Sequence, residues 1–194
     1  MKIVLASKSG VRKQILDKHD FKTIVSPSNV DEDQVKEALL EKGAEPEIIS
    51  KNLAELKSIK VSTKFPDQLV LGADSVVSLN SKLINKPSSR EEALKILKLL
   101  NGKKHYLISS VCISKNGSMI WNHTDKSELK MKNLSDQKLE IYLSEIKTEI
   151  LLAYGVYQIE AGGLNLFEYI KGDKDSIMGL PIKEIKEYLK NYKI

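Results

Sequence analysis

The run Leu69-Val70-Leu71-Gly72-Ala73-Asp74-Ser75-Val76-Val77 places one carboxylate in the middle of an apolar stretch. Its Val and Leu content at this length predicts a buried strand. Burying Asp74 in hydrocarbon is costly unless a cation, a hydrogen-bond network or a water-filled cleft receives it. Gly72 and Ala73 clear space just before it, and Ser75 adds a hydroxyl just after. A lone carboxylate of this kind is often only a capped turn residue, so its meaning depends on partners elsewhere. Glu32 offers a second carboxylate, and Arg12, Lys57 and Lys86 offer cations for phosphates. Such an oxygen-rich set suits Mg²⁺ or Mn²⁺. A carboxylate beside a bound metal can hold or deprotonate an attacking water whose pKa the metal lowers.

Other chemistries find no support. Neither G-x-x-x-x-G-K-[ST] nor G-x-G-x-x-G occurs, and there is no G-x-S-x-G elbow. His19, His105 and His123 lack metal-ligand spacing, and a single cysteine, Cys112, cannot make a zinc pair or an internal disulfide. Cys112 reads as a core thiol of a cytoplasmic protein. A net charge of +5 suits an anionic ligand, although the lysines are scattered among acids. Aromatic residues make up only 6% and are absent from the basic stretch 95–104, which argues against a nucleic-acid groove. No apolar run approaches the roughly 20 residues that cross a bilayer, and the short N-terminal run broken by Lys8 reads as a first strand.

The elements that must position these residues follow from the pattern. Lys2–Ala6 predicts a strand, then Ser7-Lys8-Ser9-Gly10 a loop, then a helix to about Asp17 with Ser9 as N-cap. A loop entering a helix N-terminus is a ready anion site, and Arg12 in the first turn opposes the helix dipole unless an outside anion offsets it. A plain capped helix explains the same residues. Phe21–Val25 is a second strand. Asp31-Glu32-Asp33 opens a helix to about Lys42, where acids are ordinary dipole partners. Another helix runs from Glu47 to about Ser62; Lys57 on it is either solvated or cleft-facing. Asn80-Ser81 turns a hairpin, and a helix spans about Ser89 to Leu100. Strands at about His105–Ser114 and Ser118–Lys132 flank an Asn116-Gly117 turn, with a helix over Ser135–Ser144 after them. Val156–Ile159 and Leu166–Ile170 predict strands, and Pro181 a start for a last helix to about Asn191. Without repeats or linkers, this mixture predicts one domain, 1–194, of α/β (mixed α+β) class.

The segments, taken in order, resemble the Maf family of nucleoside triphosphate pyrophosphatases. The resemblance rests on Leu5-Ala6-Ser7-x-Ser9-x-x-Arg12, Asp31-Glu32, Leu53-Ala54-x-x-Lys57, Gly72-Ala73-Asp74-Ser75-Val76-Val77, Lys86-Pro87 and Gly102-x-x-His105. It continues through Gly155-Val156-Tyr157-x-Ile159-Glu160-Ala161-x-Gly163, Ile170-x-Gly172-Asp173 and Gly179-Leu180-Pro181. No single block is specific; the ordered set is. It implies a Maf/inosine-triphosphatase-like fold, a long curved mixed sheet with helices forming two lobes around a central cleft. It further implies cleavage of a nucleoside triphosphate to monophosphate and pyrophosphate with Mg²⁺ or Mn²⁺, or Co²⁺ in a similar oxygen-rich site. Asp74 matches the catalytic base; Ser7, Ser9 and Arg12 match a phosphate loop; Glu32, Lys57 and Lys86 match polar cleft residues, with Asp74 and Glu32 toward the metal.

Three positions bear on the base. Val11 stands where the family usually carries a large side chain, Ser75 is closer to a Thr form, and Glu160 resembles the 7-methyl-GTP group rather than the Gln of the dTTP/UTP group. A carboxylate only accepts hydrogen bonds whereas an amide also donates, so Glu160 and Gln would read different base edges. Asn52 stands where an Arg is usual. These positions select no single base. The resemblance also implies a homodimer, a cytoplasmic location, a housekeeping role in nucleotide pools and a link to cell-division arrest. A non-catalytic nucleotide-binding regulator of septum formation is the competing reading, and retention of Asp74, Glu32, Lys57 and Lys86 argues against it. Nucleic acid and membrane partners are not expected.

Overall fold

The computed structural model describes residues 2–159 and 162–192. In chain order the strands are β1 (Lys2–Leu5), β2 (Lys22–Val25), β3 (Val70–Leu79), β4 (Lys82–Ile84), β5 (Lys104–Lys115), β6 (Ser118–Met131) and β7 (Phe167–Lys171). The helices are α1 (Gly10–Lys18), α2 (Glu32–Glu41), α3 (Pro46–Ser62), α4 (Arg90–Leu100), α5 (Asp136–Ser144), α6 (Thr148–Tyr154), α7 (Lys174–Ile177) and α8 (Ile182–Asn191). Among the described residues the strands form one mixed sheet in the order β2-β1-β3-β5-β6-β7, with β4 on β3. β1 pairs in parallel with β2 and β3, whereas β3–β4 and β6–β7 are antiparallel. No described helix is long and apolar enough to cross a membrane.

The chain forms two compact units. The first comprises Met1–Val76, Ile108–Lys126 and Asp173–Ile194; the second comprises Val77–Leu107 and Ser127–Gly172. In the first unit, strand alternation sorts residues to the two sheet faces. Ile3, Leu5, Leu71 and Ala73 join Ile15 and Leu16 of α1 and Ile185 and Leu189 of α8 in one core cluster. Val4, Ala6 and Val70 pack with Val61 of α3 on the other face. In the second unit, Ala93, Leu97 and Leu100 of α4 and Leu139 and Leu143 of α5 supply buried side chains.

Local chemistry accounts for the boundaries. Ser9, Asp31, Ser89 and Ser135 each accept a first-turn amide with their side chains, as N-caps do. Asn80 and Ser81 both take positive φ, 50° and 61°, and Asn116 and Gly117 take 51° and 78°. These are the dihedral signs of the tight type I′ turns that match strand twist.

Two expectations need correction. The segment Val156–Ile159 is not a strand: it is irregular after α6. Gly155 leaves the helix at φ 100°, and the Gly163 amide bonds the Gln158 carbonyl at 2.8 Å, so the chain folds back locally instead of joining the sheet. A Cβ on Gly163 would lie 2.4 Å from that carbonyl oxygen, so the closure depends on the glycine. Val156, Tyr157 and Ile159 are nonetheless buried, which is why their pattern imitates a strand. Pro181 is the N-cap of α8 rather than its first helical residue. The short helices α6 and α7 carried no sequence expectation.

Candidate active site

The site grows from the alternation along β3. Val70, Gly72 and Asp74 share the face covered by α3, while Leu71, Ala73 and Ser75 share the face toward α1. Helix α3 runs antiparallel to β3. Ser50 Oγ donates to the Asp74 carbonyl at 3.2 Å, Ala54 and Ser58 lie against Gly72, and Val61 packs with Val70. Contact at Gly72 is so close that a Cβ there would sit 2.1 Å from the Ala54 carbonyl oxygen and 2.7 Å from the Ser58 nitrogen. That approach lets Lys57, one helical step from Ser58, reach the Asp74 carboxylate.

Lys57 and Asp74 are each 5% exposed, and Lys57 Nζ donates to Asp74 Oδ1 at 2.7 Å. The same ammonium lies 2.7 Å from Glu32 Oε1, at the first turn of α2, whose side chain is 38% exposed. One lysine therefore clamps both candidate metal-ligating carboxylates. Spacing left Lys57 open between a solvated and an inward side chain; the structure turns it inward. Asp74 Oδ2 is buried and has no hydrogen-bond partner. Burial pushes the Asp74 carboxyl above its ordinary value of 3.8; Lys57 opposes that, then Arg12, while Glu32 adds to it. A carboxylate held this way has raised basicity and one oxygen without a partner.

On the opposite face, Arg12 clamps three segments. Its Nε donates to the Gly179 carbonyl at 3.0 Å, Nη1 to the Ala73 carbonyl at 2.9 Å and to Ser7 Oγ at 3.2 Å, and Nη2 to Ser75 Oγ at 3.1 Å. Gly179 adopts φ 96°, and a Cβ there would lie 3.1 Å from Ser75 Oγ and 3.3 Å from Arg12 Nε. Ser75 Oγ also shares a hydrogen bond of 3.0 Å with buried Ser109 Oγ. Ser7 Oγ accepts the Ser9 amide, and Ser9 Oγ accepts the Arg12 amide. The loop Ser7–Gly10 is thus organised around Arg12 at the C-terminal end of parallel strand β1. Ligands of open α/β sheets gather beyond such strand ends.

Ser7, Ser9, Arg12, Glu32, Lys57, Asp74 and Ser75 all belong to the first unit and converge in this way. Val11 is half-buried against the α1-side core. Lys86 is exposed in the segment after β4, in the second unit. Glu160 lies outside the described residues. Sequence reasoning missed Ser50, Ser109 and the carbonyls of Ala73 and Gly179. Ala73 and Gly179 left a trace, through the Gly72-Ala73-Asp74 and Gly179-Leu180-Pro181 blocks.

The donors available to a metal are few. No group of three or more His, Cys, Asp or Glu side chains stands together among the described residues. Two carboxylates, one with an unpartnered buried oxygen, nevertheless fit Mg²⁺-type binding, in which one or two protein carboxylates combine with waters and substrate phosphates. Glu32 and Asp74 would hold the ion.

Known proteins share this sequence over nearly its whole length. The sequence profile described as "Maf-like protein" matches residues 2–192. A nucleoside triphosphate pyrophosphatase of Pelagibacter ubique is 63% identical over 188 residues, covering 97% of this chain and 96% of its own length. A protein named 7-methyl-GTP pyrophosphatase from Brucella abortus is 35% identical over 193 residues, covering 100% of this chain and 97% of its own. Among solved structures, the Staphylococcus aureus Ham1 protein superposes with a TM-score of 0.51 at 16% identity, covering 100% of both chains, a likeness of fold alone. With a family match over nearly its whole length and relatives this similar, the chain belongs to the Maf family.

Proposed function

We propose that this protein is a nucleoside triphosphate pyrophosphatase. The observation that carries the reading is Asp74: a buried carboxylate of raised basicity with an unpartnered oxygen, set beside a lysine and a second carboxylate. Names of the family relatives support the same reaction class. A divalent cation held by Asp74 and Glu32 would polarise phosphoryl oxygens and acidify water.

In the proposed reaction, water attacks a phosphorus of the α–β anhydride and that bond breaks to give nucleoside monophosphate and pyrophosphate. Asp74 accepts the proton lost by the water. Lys57 offsets charge developing on the leaving phosphates, and Arg12 adds positive potential at the Ser7–Gly10 loop. Ser7 and Ser9 shape that loop. Of the positions expected to select the base, Val11 and Ser75 lie in the first unit. In this reading Ser75, which accepts from Arg12 and faces Ser109, keeps little hydrogen-bonding capacity for a nucleobase.

Product analysis tests the reading. Standard and modified triphosphates, 7-methyl-GTP included, are incubated with the protein and Mg²⁺, Mn²⁺ or Co²⁺. Monophosphate and pyrophosphate in equal amounts are expected. Diphosphate and orthophosphate would contradict the cleavage position. Nucleotide binding with no cleavage by folded protein would favour the regulatory role in septum formation. Gel filtration in the same buffers tests the expected homodimer.

A further inference from the structure

The position of Lys57 raises a question that the reaction leaves open. Its ammonium occupies the space between the carboxylates assigned to the metal, 2.7 Å from each. Asp74 and Lys57 are almost wholly buried, so water screens this pair poorly. The charged groups that act on Asp74 are Lys57 and Arg12, which are positive, and Glu32, which is negative. A divalent ion added alone would bring two more positive charges beside an ammonium that already holds its ligands. A polyphosphate brings negative charge and a second set of acceptors for Lys57.

We propose that Lys57 is a resident counter-cation that keeps the Glu32–Asp74 pair closed to divalent metal until nucleotide phosphates engage it. Metal and nucleotide then bind with positive coupling, each tightening the other by the same factor. This rests on the pyrophosphatase reading for the identity of the nucleotide, but the arrangement of Lys57 and the carboxylates stands on geometry alone. Lys57 thereby has two roles in sequence, ligand-pair guard and phosphate partner. The unpartnered Asp74 Oδ2 is the oxygen by which a metal would enter.

The test is Mn²⁺ binding without nucleotide, followed by the electron paramagnetic resonance signal of the free ion. Wild type, K57M, K57Q and the double variant K57M/D74N are compared, with circular dichroism to establish folding. Removing one positive charge a few ångströms from the ion, at an effective dielectric of about 20, predicts Mn²⁺ affinity about tenfold or more higher in K57M. K57Q should gain similarly, and K57M/D74N should lose the gain. Wild type should bind Mn²⁺ about tenfold or more tightly when saturated with a triphosphate analogue whose α–β bridge is methylene.

Equal or weaker nucleotide-free Mn²⁺ binding in a folded lysine variant overturns the proposal. So does wild-type affinity indifferent to the analogue, a measurement that needs no variant. Failure of the underlying reading looks different: coupling of metal and analogue in a protein that releases no pyrophosphate keeps the guard role and removes the reaction. Pyrophosphate release without coupling does the reverse.

Discussion

Asp74 in the first unit and Glu128 in the second both sit among lysines, yet their surroundings push them in opposite directions. Glu128, on β6, accepts from Tyr169 at 3.0 Å and Tyr106 at 3.3 Å, with Lys104 at 3.4 Å and Lys171 at 3.8 Å. The Tyr169 hydroxyl, ahead of the lysines, holds its carboxyl below the ordinary value of 4.5. Both of its oxygens have partners, and water reaches the cluster. Asp74 has a closer lysine, but burial outweighs it and one oxygen has no partner. Counting charged neighbours would rank the two sites the wrong way round. Desolvation, with an unmet acceptor, marks the group poised for chemistry.

Exchanging each carboxylate for its amide sharpens the contrast most. Asp74→Asn should lower the rate of pyrophosphate release by about 10²–10⁴-fold, the range for losing a general base. Glu128→Gln should leave it unchanged in the same assay. Asp74→Asn should also remain folded, because its amide oxygen still accepts from Lys57 and Glu32 still pairs with that lysine. The folded protein holds the Asp74 proton more tightly than the unfolded chain does. Its stability contribution therefore falls as pH rises from 3.8 through the raised value. Thermal unfolding at neutral pH should accordingly show a midpoint for Asp74→Asn no lower than wild type; a large drop would mean that the ionised group stabilises the fold.

Gly72→Ala attacks the support rather than the charge. Its Cβ would meet backbone atoms of α3, which cannot rotate aside, so a loss of about 3 kcal/mol or more is expected in denaturant unfolding. A loss near zero would show that α3 is free to shift away from β3. At the other end of the scale, Gly10→Ala falls at the first residue of α1, where nothing lies within 4 Å of the added Cβ. It should stabilise by about 0.4–1 kcal/mol by restricting the unfolded chain.

Much of this was legible in the sequence, for identifiable reasons. The apolar run around Asp74 announced β3, and Ser9 as a cap announced α1. The pairing of Lys57 with Asp74 was not legible, because it depends on how α3 lies against β3. Gly72 sets that approach through a contact invisible to periodicity. Arg12 at a helix start pointed to an outside anion; the structure shows carbonyls of Ala73 and Gly179, distant in sequence, engaging it. Val156–Ile159 misled because buried apolar residues in an irregular fold-back produce the same spacing as a strand.

The most direct test of the central claim is the pH dependence of kcat/KM for pyrophosphate release, in wild type and Asp74→Asn, with metal kept far below saturation so that the profile reports the metal-free enzyme. An ionised base requires the rate to rise with pH through its pKa. The desolvated carboxylate predicts a wild-type limb above the ordinary Asp value of 3.8. Any residual activity of Asp74→Asn should lack that limb. A limb that persists in the variant, or one at the ordinary position in wild type, would contradict the assignment of Asp74 as the buried base.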